Sequence, residues 1–107
     1  MKSVIFVGGS RRALKDFPDL AKWQAGNELN EMQHGRMPTD WKPMTGVGPG
    51  AIEIRIHEPH EHRVICVAKF REAVYVLHAF EKKTQKTAQK DLETARKAYA
   101  EIKDLQS

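Results

Sequence analysis

Cysteine is nearly absent from this chain. Its 107 residues include a single thiol, Cys66, set in the apolar run VICVA. A lone thiol closes no disulfide within the chain and fits a reducing compartment. No base stands near it in the sequence, so a nucleophilic role is not expected. Long hydrophobic runs are also missing. No stretch approaches the ~20 apolar residues of a membrane span. The opening KSVIFVGG offers about four apolar residues before its glycines, too few for a secretory signal. The expectation is a cytoplasmic protein without a membrane segment. Aromatic residues are scarce at 7%. The candidate strands of the second half hold only Phe70, Tyr75 and Phe80, too few for the stacking platform of a sheet that reads bases. There is no internal repeat.

Charge is plentiful. Lys and Arg number 18 against 14 Asp and Glu, a net charge of +4, with an isoelectric point near 9.3. This balance favours anionic partners such as nucleic acid, an acidic protein or a membrane surface. The length suits one domain, residues 1–107, able to bury roughly two thirds of its unfolded surface.

The pattern along the chain is α+β. SVIFV (3–7) predicts a short strand closed by Gly8 and Gly9. Ser10 is placed to cap a short helix, RRALKDF. Pro18 and Asp19 open a second helix that runs to about Gln33 and stops at Gly35. Leu20, Trp23 and Leu29 give that helix a partial apolar face, with Trp23 expected in the core. The proline- and glycine-rich segment 36–50 reads as a loop, with Trp41 as its anchor. Gly46-x-Gly48-x-Gly50 is not a dinucleotide fingerprint, because no helix pattern follows it.

Period-two alternation then takes over. AIEIRIHE sets Ile52, Ile54 and Ile56 opposite Glu53, Arg55 and His57. RVICVAKF sets Val64, Cys66, Ala68 and Phe70 opposite Arg63, Ile65, Val67 and Lys69. VYVLHAF is a third strand, with His78 in phase with Val74 and Val76 and opposite to Tyr75. Short turns join the three into an antiparallel meander. A closing helix begins at about Thr87, with Ala88, Leu92, Ala95, Tyr99 and Ile102 as its apolar stripe and Lys90, Glu93, Arg96, Lys97 and Glu101 on the solvated side. Helices first, then a sheet, then one helix make an α+β arrangement.

Neighbouring strands lie about 4.8 Å apart, so Glu53, Arg55, Arg63, His78, Lys82 and Lys83 can share one rim. Charges on a sheet face that meets water are ordinary, and Lys82, Lys83 and Lys86 also read as a solvated linker into the last helix. The set is more informative than its parts. Cleavage of a phosphodiester through its own 2′-hydroxyl needs a base, an acid and cations for the charge on the phosphorane. Arginine suits only the last role, because it stays protonated. A glutamate or an unprotonated lysine can serve as base, and a histidine as acid.

The run from Gly50 to Tyr99 resembles the HigB-type toxins of the RelE/ParE superfamily, in the branch that includes phage-derived Gp49-like proteins. The match rests on Gly50, Glu53, Ile54 and Arg55, on Arg63 opening the next strand, and on Val74, Leu77, His78, Ala79, Phe80, Lys82 and Lys83. Thr87, Lys90 and Asp91 follow. It covers residues 45–103 closely and the N-terminal half loosely. Ala88 stands where related sequences often have the proline that starts the helix. The resemblance implies a RelE-like fold and an endoribonuclease that cuts mRNA on the ribosome with no cofactor and no metal. It also implies a cognate antitoxin, often carrying a helix-turn-helix DNA-binding domain. It points to Arg55, Arg63 and Lys82 as phosphate and transition-state contacts and to Glu53 and His78 as acid and base. Lys83, Lys86 and Lys69 become contacts to the RNA backbone.

Three other readings compete. A ParE-like relative inhibits DNA gyrase on the same fold, so fold does not separate them. A non-enzymatic nucleic-acid or regulatory module needs aromatics that the strands lack. A metal site at His57, Glu58, His60, Glu61 and His62 matches no familiar zinc spacing and straddles a turn at Pro59, so a solvated turn is expected there. An exposed edge of the meander offers a place for an antitoxin strand to pair.

Overall fold

The computed structural model describes residues 1–106. Five strands form one sheet in the order β1-β5-β4-β3-β2. They are β1 (Ser3–Phe6), β2 (Trp41–Pro43), β3 (Ala51–Ile56), β4 (His62–Val67) and β5 (Ala73–Glu81). The helices are α1 (Ser10–Lys15), α2 (Asp19–Gln33) and α3 (Gln89–Gln106). The meander of β3, β4 and β5 is antiparallel as its alternation predicts, whereas β1 pairs with β5 in parallel. The chain reaches that edge through α1, α2 and the meander. The expected loop at 36–50 contains a strand: β2 lies antiparallel to β3, Trp41 opposite Ile54, and Trp41 is partly exposed on this edge. Three residues ending in proline carry no readable alternation, which is why the segment looks like a loop.

Helices cover both faces of the sheet. On one face Ile52, Ile54, Ile56, Val64, Cys66, Val74, Val76 and Ala79 pack with residues of α1 and α2. On the other, Ala51, Ile65, Val67, Tyr75, Leu77 and Phe80 pack under α3 through Ala95, Ala98 and Ile102. The two phases of the sequence alternation therefore become two cores, and the charged phase does not face water along its length. Phe70 joins the α3 side, edge-on to Tyr75 with ring centroids 5.5 Å apart, because β4 ends at Val67 and the alternation ends with it.

The N-terminal helices depart from expectation in three places. Ser10 does not cap α1; its Oγ donates to the Val76 carbonyl at 2.9 Å and is buried there. In α2 the inward residues are Ala21, Ala25, Glu28, Leu29 and Met32, while Trp23 is 68% exposed and Leu20 is exposed. In the first half of the helix the alanines take the side toward the sheet, so Leu20 and Trp23 turn outward. Buried Glu28 accepts a hydrogen bond from the Thr39 amide at 2.8 Å and so holds the following loop. Gly35 ends the helix at φ +81°, as its position suggests.

The glycine segment before β3 is docked on α3. Arg96 Nε donates to the Gly46 carbonyl at 2.8 Å and Tyr99 Oη to the Pro49 carbonyl at 2.5 Å. A Cβ on Gly48 would stand 2.6 Å from the Tyr99 ring, so only glycine fits under it. No helix among the described residues is long and apolar enough to cross a membrane.

Candidate active site

Strand register assembles the site on the α3 face. Lys42, Glu53, Ile65 and His78 form one row across β2, β3, β4 and β5. Arg55, Arg63 and Phe80 form the next row. His78 joins its row because of a bulge. Ile65 pairs with His78 but Cys66 pairs with Val76, so Leu77 is an extra residue in β5. The bulge reverses the strand's phase. His78 leaves the phase of Val74 and Val76 and turns to α3, correcting the alternation read from the sequence. Phe80 and Lys82 follow it.

At the centre is Glu53, with no exposed surface. Its Oε2 accepts a hydrogen bond from Thr87 Oγ1 at 2.8 Å. Its Oε1 lies 3.6 Å from Arg63 Nε and 3.8 Å from Lys42 Nζ, ion pairs too long to be hydrogen bonds. Arg63 is 5% exposed. Its Nη1 donates to the His62 carbonyl and its Nη2 forms an ion pair with Glu61 Oε1, both at 2.9 Å. Glu53 Oε1, Arg55 Nε and Arg63 Nε are buried without a hydrogen-bond partner. Burial pushes the Lys82 amine below the usual lysine range, and the Arg63 charge adds to this; Glu53 opposes it, while Lys42 and Arg55 push it down further. Four cations thus surround one buried carboxylate.

Beside them a cleft of roughly 390 Å³ is lined by Phe80, Lys82, Lys83, Thr84, Lys90 and Asp91, among others. His78 Nε2 donates to Asp91 Oδ1 at 2.8 Å, and its ring stacks on Phe80 with centroids 5.1 Å apart. These two side chains are only 15% and 13% exposed.

The structure brings Glu53, Arg55, Arg63, His78 and Lys82 together, with Lys83 on the cleft. Lys86 lies in the exposed loop beyond, where its carbonyl accepts a hydrogen bond from Thr84. Lys69 is at the other end of β4, its Nζ 5.2 Å from the Phe70 ring centroid and its stem against Gly50. Lys42 is a neighbour that the motif does not contain, and Thr87, Lys90 and Asp91, which follow the motif in the sequence, gain a place at the site only from the fold. Lys42 was hidden in the proline-rich segment. Asp91 sits thirteen residues from His78 and becomes its partner only when α3 folds back. Cys66 Sγ donates to Met32 Sδ, and burial pushes the thiol up to about 12, as expected of an inert cysteine.

The histidine-rich turn is more organised than a solvated turn. His57 bridges two carboxylates, Nε2 to Asp40 at 2.6 Å and Nδ1 to Glu61 at 2.8 Å. The hydrogen bond to Asp40, then that to Glu61, raises its pKa. Glu61 in turn is held below the usual carboxylate range, first by His57 and then by Arg63. His60 and His62 meet Glu81 rather than Glu58 or Glu61.

The family described as Phage derived protein Gp49-like matches residues 12–100, so the match includes α2, most of α1 and α3, and the rows just described. The chain belongs to that family. The Gp49-like family lies within the RelE/HigB-like group associated with toxin–antitoxin pairs, and it is associated with toxin nucleases in general. Membership brings with it the expectation of a cognate antitoxin. No curated protein matches the chain significantly.

Proposed function

We propose that this chain is an endoribonuclease toxin that cleaves mRNA through the RNA's own 2′-hydroxyl, most effectively on the ribosome, in the cytoplasm. One observation carries the reading. Arg55 and Arg63 are cross-strand partners on one face, each keeps a buried Nε with no hydrogen-bond partner, and Lys42 and Lys82 add charge beside them. A phosphodiester is the ligand whose charge and geometry suit such a set. The negative charge that grows on the phosphorane is then stabilised by side chains already in place.

In this reading the half-buried Arg55 binds the scissile phosphate, and Arg63, only 5% exposed, adds its positive charge from within the cluster. Lys82, which loses its proton more readily than an ordinary lysine, takes the proton from the 2′-hydroxyl. The oxygen attacks phosphorus and the bond to the 5′-oxygen breaks. His78, positioned by Asp91, donates a proton to that leaving oxygen. The products are a 2′,3′-cyclic phosphate and a 5′-hydroxyl. Glu53 is too buried to meet substrate, so it positions the cations. Lys83, Lys86 and Lys90 contact the RNA backbone near the cleft. Lys69, at the far end of β4, contacts only a longer RNA. The partner is an antitoxin with a helix-turn-helix domain, and the short edge strand β2 is where one of its strands adds.

The experiment is induced expression in a bacterial host, wild type beside Arg55→Ala and Lys82→Ala, with transcripts mapped by primer extension. Growth arrest with cut transcripts, lost in both variants, is expected. Arrest with intact transcripts and damaged DNA would assign the chain to gyrase inhibition, and no arrest would sink the toxin reading.

A further inference from the structure

On the face of the sheet turned away from the arginines, the turn after β3 and the end of β5 bring three metal-ligating side chains together. His60 Nε2 lies 3.3 Å from Glu81 Oε1. His62 is Glu81's partner across the strand ladder, and its ring centroid lies 4.6 Å from that of His60. One ligand atom from each of the three falls within 4.8 Å of the others. Two ligands of a tetrahedral zinc ion stand roughly 3.4 Å apart, so the group needs only a small contraction to enclose an ion.

The protonation pattern suits that use. His62 is 2% exposed and packs its ring against Phe17 at 4.6 Å. Its Nδ1–H donates to the His60 carbonyl at 2.8 Å, which leaves the lone pair on Nε2. A carbonyl that fixes the tautomer and orientation of a ligating imidazole is the usual outer support of a metal site. His60 and Glu81 are about half exposed, so an ion has a way in and room for water in its remaining positions. Two imidazoles and one carboxylate select zinc and its neighbours nickel, cobalt and copper over magnesium or calcium, which prefer oxygen.

We propose that His60, His62 and Glu81 bind one divalent transition-metal ion, zinc foremost. The site does not depend on the nuclease reading. Its position gives it a structural effect: His62 and Glu81 directly precede Arg63 and Lys82 in the chain. An ion on one face therefore fixes the strand ends that carry two cations on the other.

The test uses the full chain without an affinity tag, stripped by chelator, then titrated with zinc by calorimetry and with cobalt by visible absorption. Expected are one zinc per chain, cobalt bands of a four- or five-coordinate ion, and a higher thermal midpoint with zinc. His60→Ala and Glu81→Gln should each weaken zinc binding by more than about tenfold, the scale at which even outer-shell partners act. His57→Ala should bind as wild type. Circular dichroism in chelator confirms that each variant is folded. Absence of stoichiometric binding in wild type would overturn the proposal. So would undiminished binding in both ligand variants, or loss in His57→Ala.

Discussion

His78 and Asp91 are joined across the boundary between sheet and helix, Nε2 to Oδ1 at 2.8 Å, with both side chains largely buried. The pair holds the imidazole by Nε2, which leaves Nδ1 for the leaving oxygen in the proposed reaction. His78→Ala should reduce the rate of cleavage by about 10²–10³, the range of general acid catalysis. Asp91→Asn keeps a hydrogen-bonding partner but removes the charge, and should cost less. Its distinguishing mark is a shifted acidic limb in the pH–rate profile with KM little changed. Single-turnover cleavage of a defined RNA measures both.

Lys82 supplies a pH prediction. Its pKa is lowered by burial and next by the neighbouring Arg63 charge. A base with a lowered pKa is deprotonated at lower pH, so cleavage should rise with pH and level off before the ordinary lysine range. Arg63→Gln removes a positive neighbour and should move that rising limb to higher pH, besides weakening binding. Lys82→Arg should abolish the limb. A profile unchanged in Lys82→Arg would exclude Lys82 as the base.

Glu53 is the one fully buried carboxylate among four cations. Glu53→Gln preserves shape and removes the counter-charge, leaving Arg63 and its neighbours uncompensated. A loss of about 3 kcal/mol is expected, as for a broken buried ion pair. Urea unfolding at neutral pH reads it. Full stability in Glu53→Gln would mean that solvent already screens the cluster.

His57 predicts a pH-dependent contribution to stability. Its folded pKa is raised by Asp40 and Glu61. The contribution is therefore complete below the unfolded value near 6.5 and disappears as pH rises through the folded value. Thermal midpoints of wild type and His57→Gln, measured in chelator, should differ at pH 6 and converge by pH 9.

Gly48 tests the docking of the glycine segment on α3. Gly48→Ala puts a methyl against the Tyr99 ring and should cost about 1–3 kcal/mol. Tyr99→Ala in the same chain should recover part of that loss, so the two changes together fall short of the sum of the singles.

Strand alternation made much of this legible in advance. The Ile52–Ile54–Ile56 phase, the Val64–Cys66 phase and the α3 stripe through Ala95 and Ile102 all pack as their spacing predicts. Glu53 and Arg55 share a face because period two obliges them to, and Arg63 joins it as the cross-strand partner of Arg55. What stayed hidden depends on long-range geometry. β2 is too short to show a period. The parallel pairing of β1 with β5 joins residues about seventy apart in the chain. Trp23 misled because a large aromatic at helical spacing usually marks the buried side, whereas here alanines take that side. The His62–Glu81 partnership needs the register of β4 on β5, which no local pattern contains.

The extra residue at Leu77 means that β5 is read in two frames. Before it, odd-numbered residues face α3; after it, even-numbered ones do. Removing Leu77 itself would merge the two frames into one regular alternation and leave His78, Phe80 and Lys82 on the side of α3, at the cost of the Leu77 side chain in that core. Removing Ala79 instead would turn Phe80 and Lys82 toward α1 and α2 and bring Glu81 under α3. The lysine and the carboxylate would then be lost to their sites with no functional residue substituted. The position of a deletion within 73–81 should therefore matter far more to function than its size.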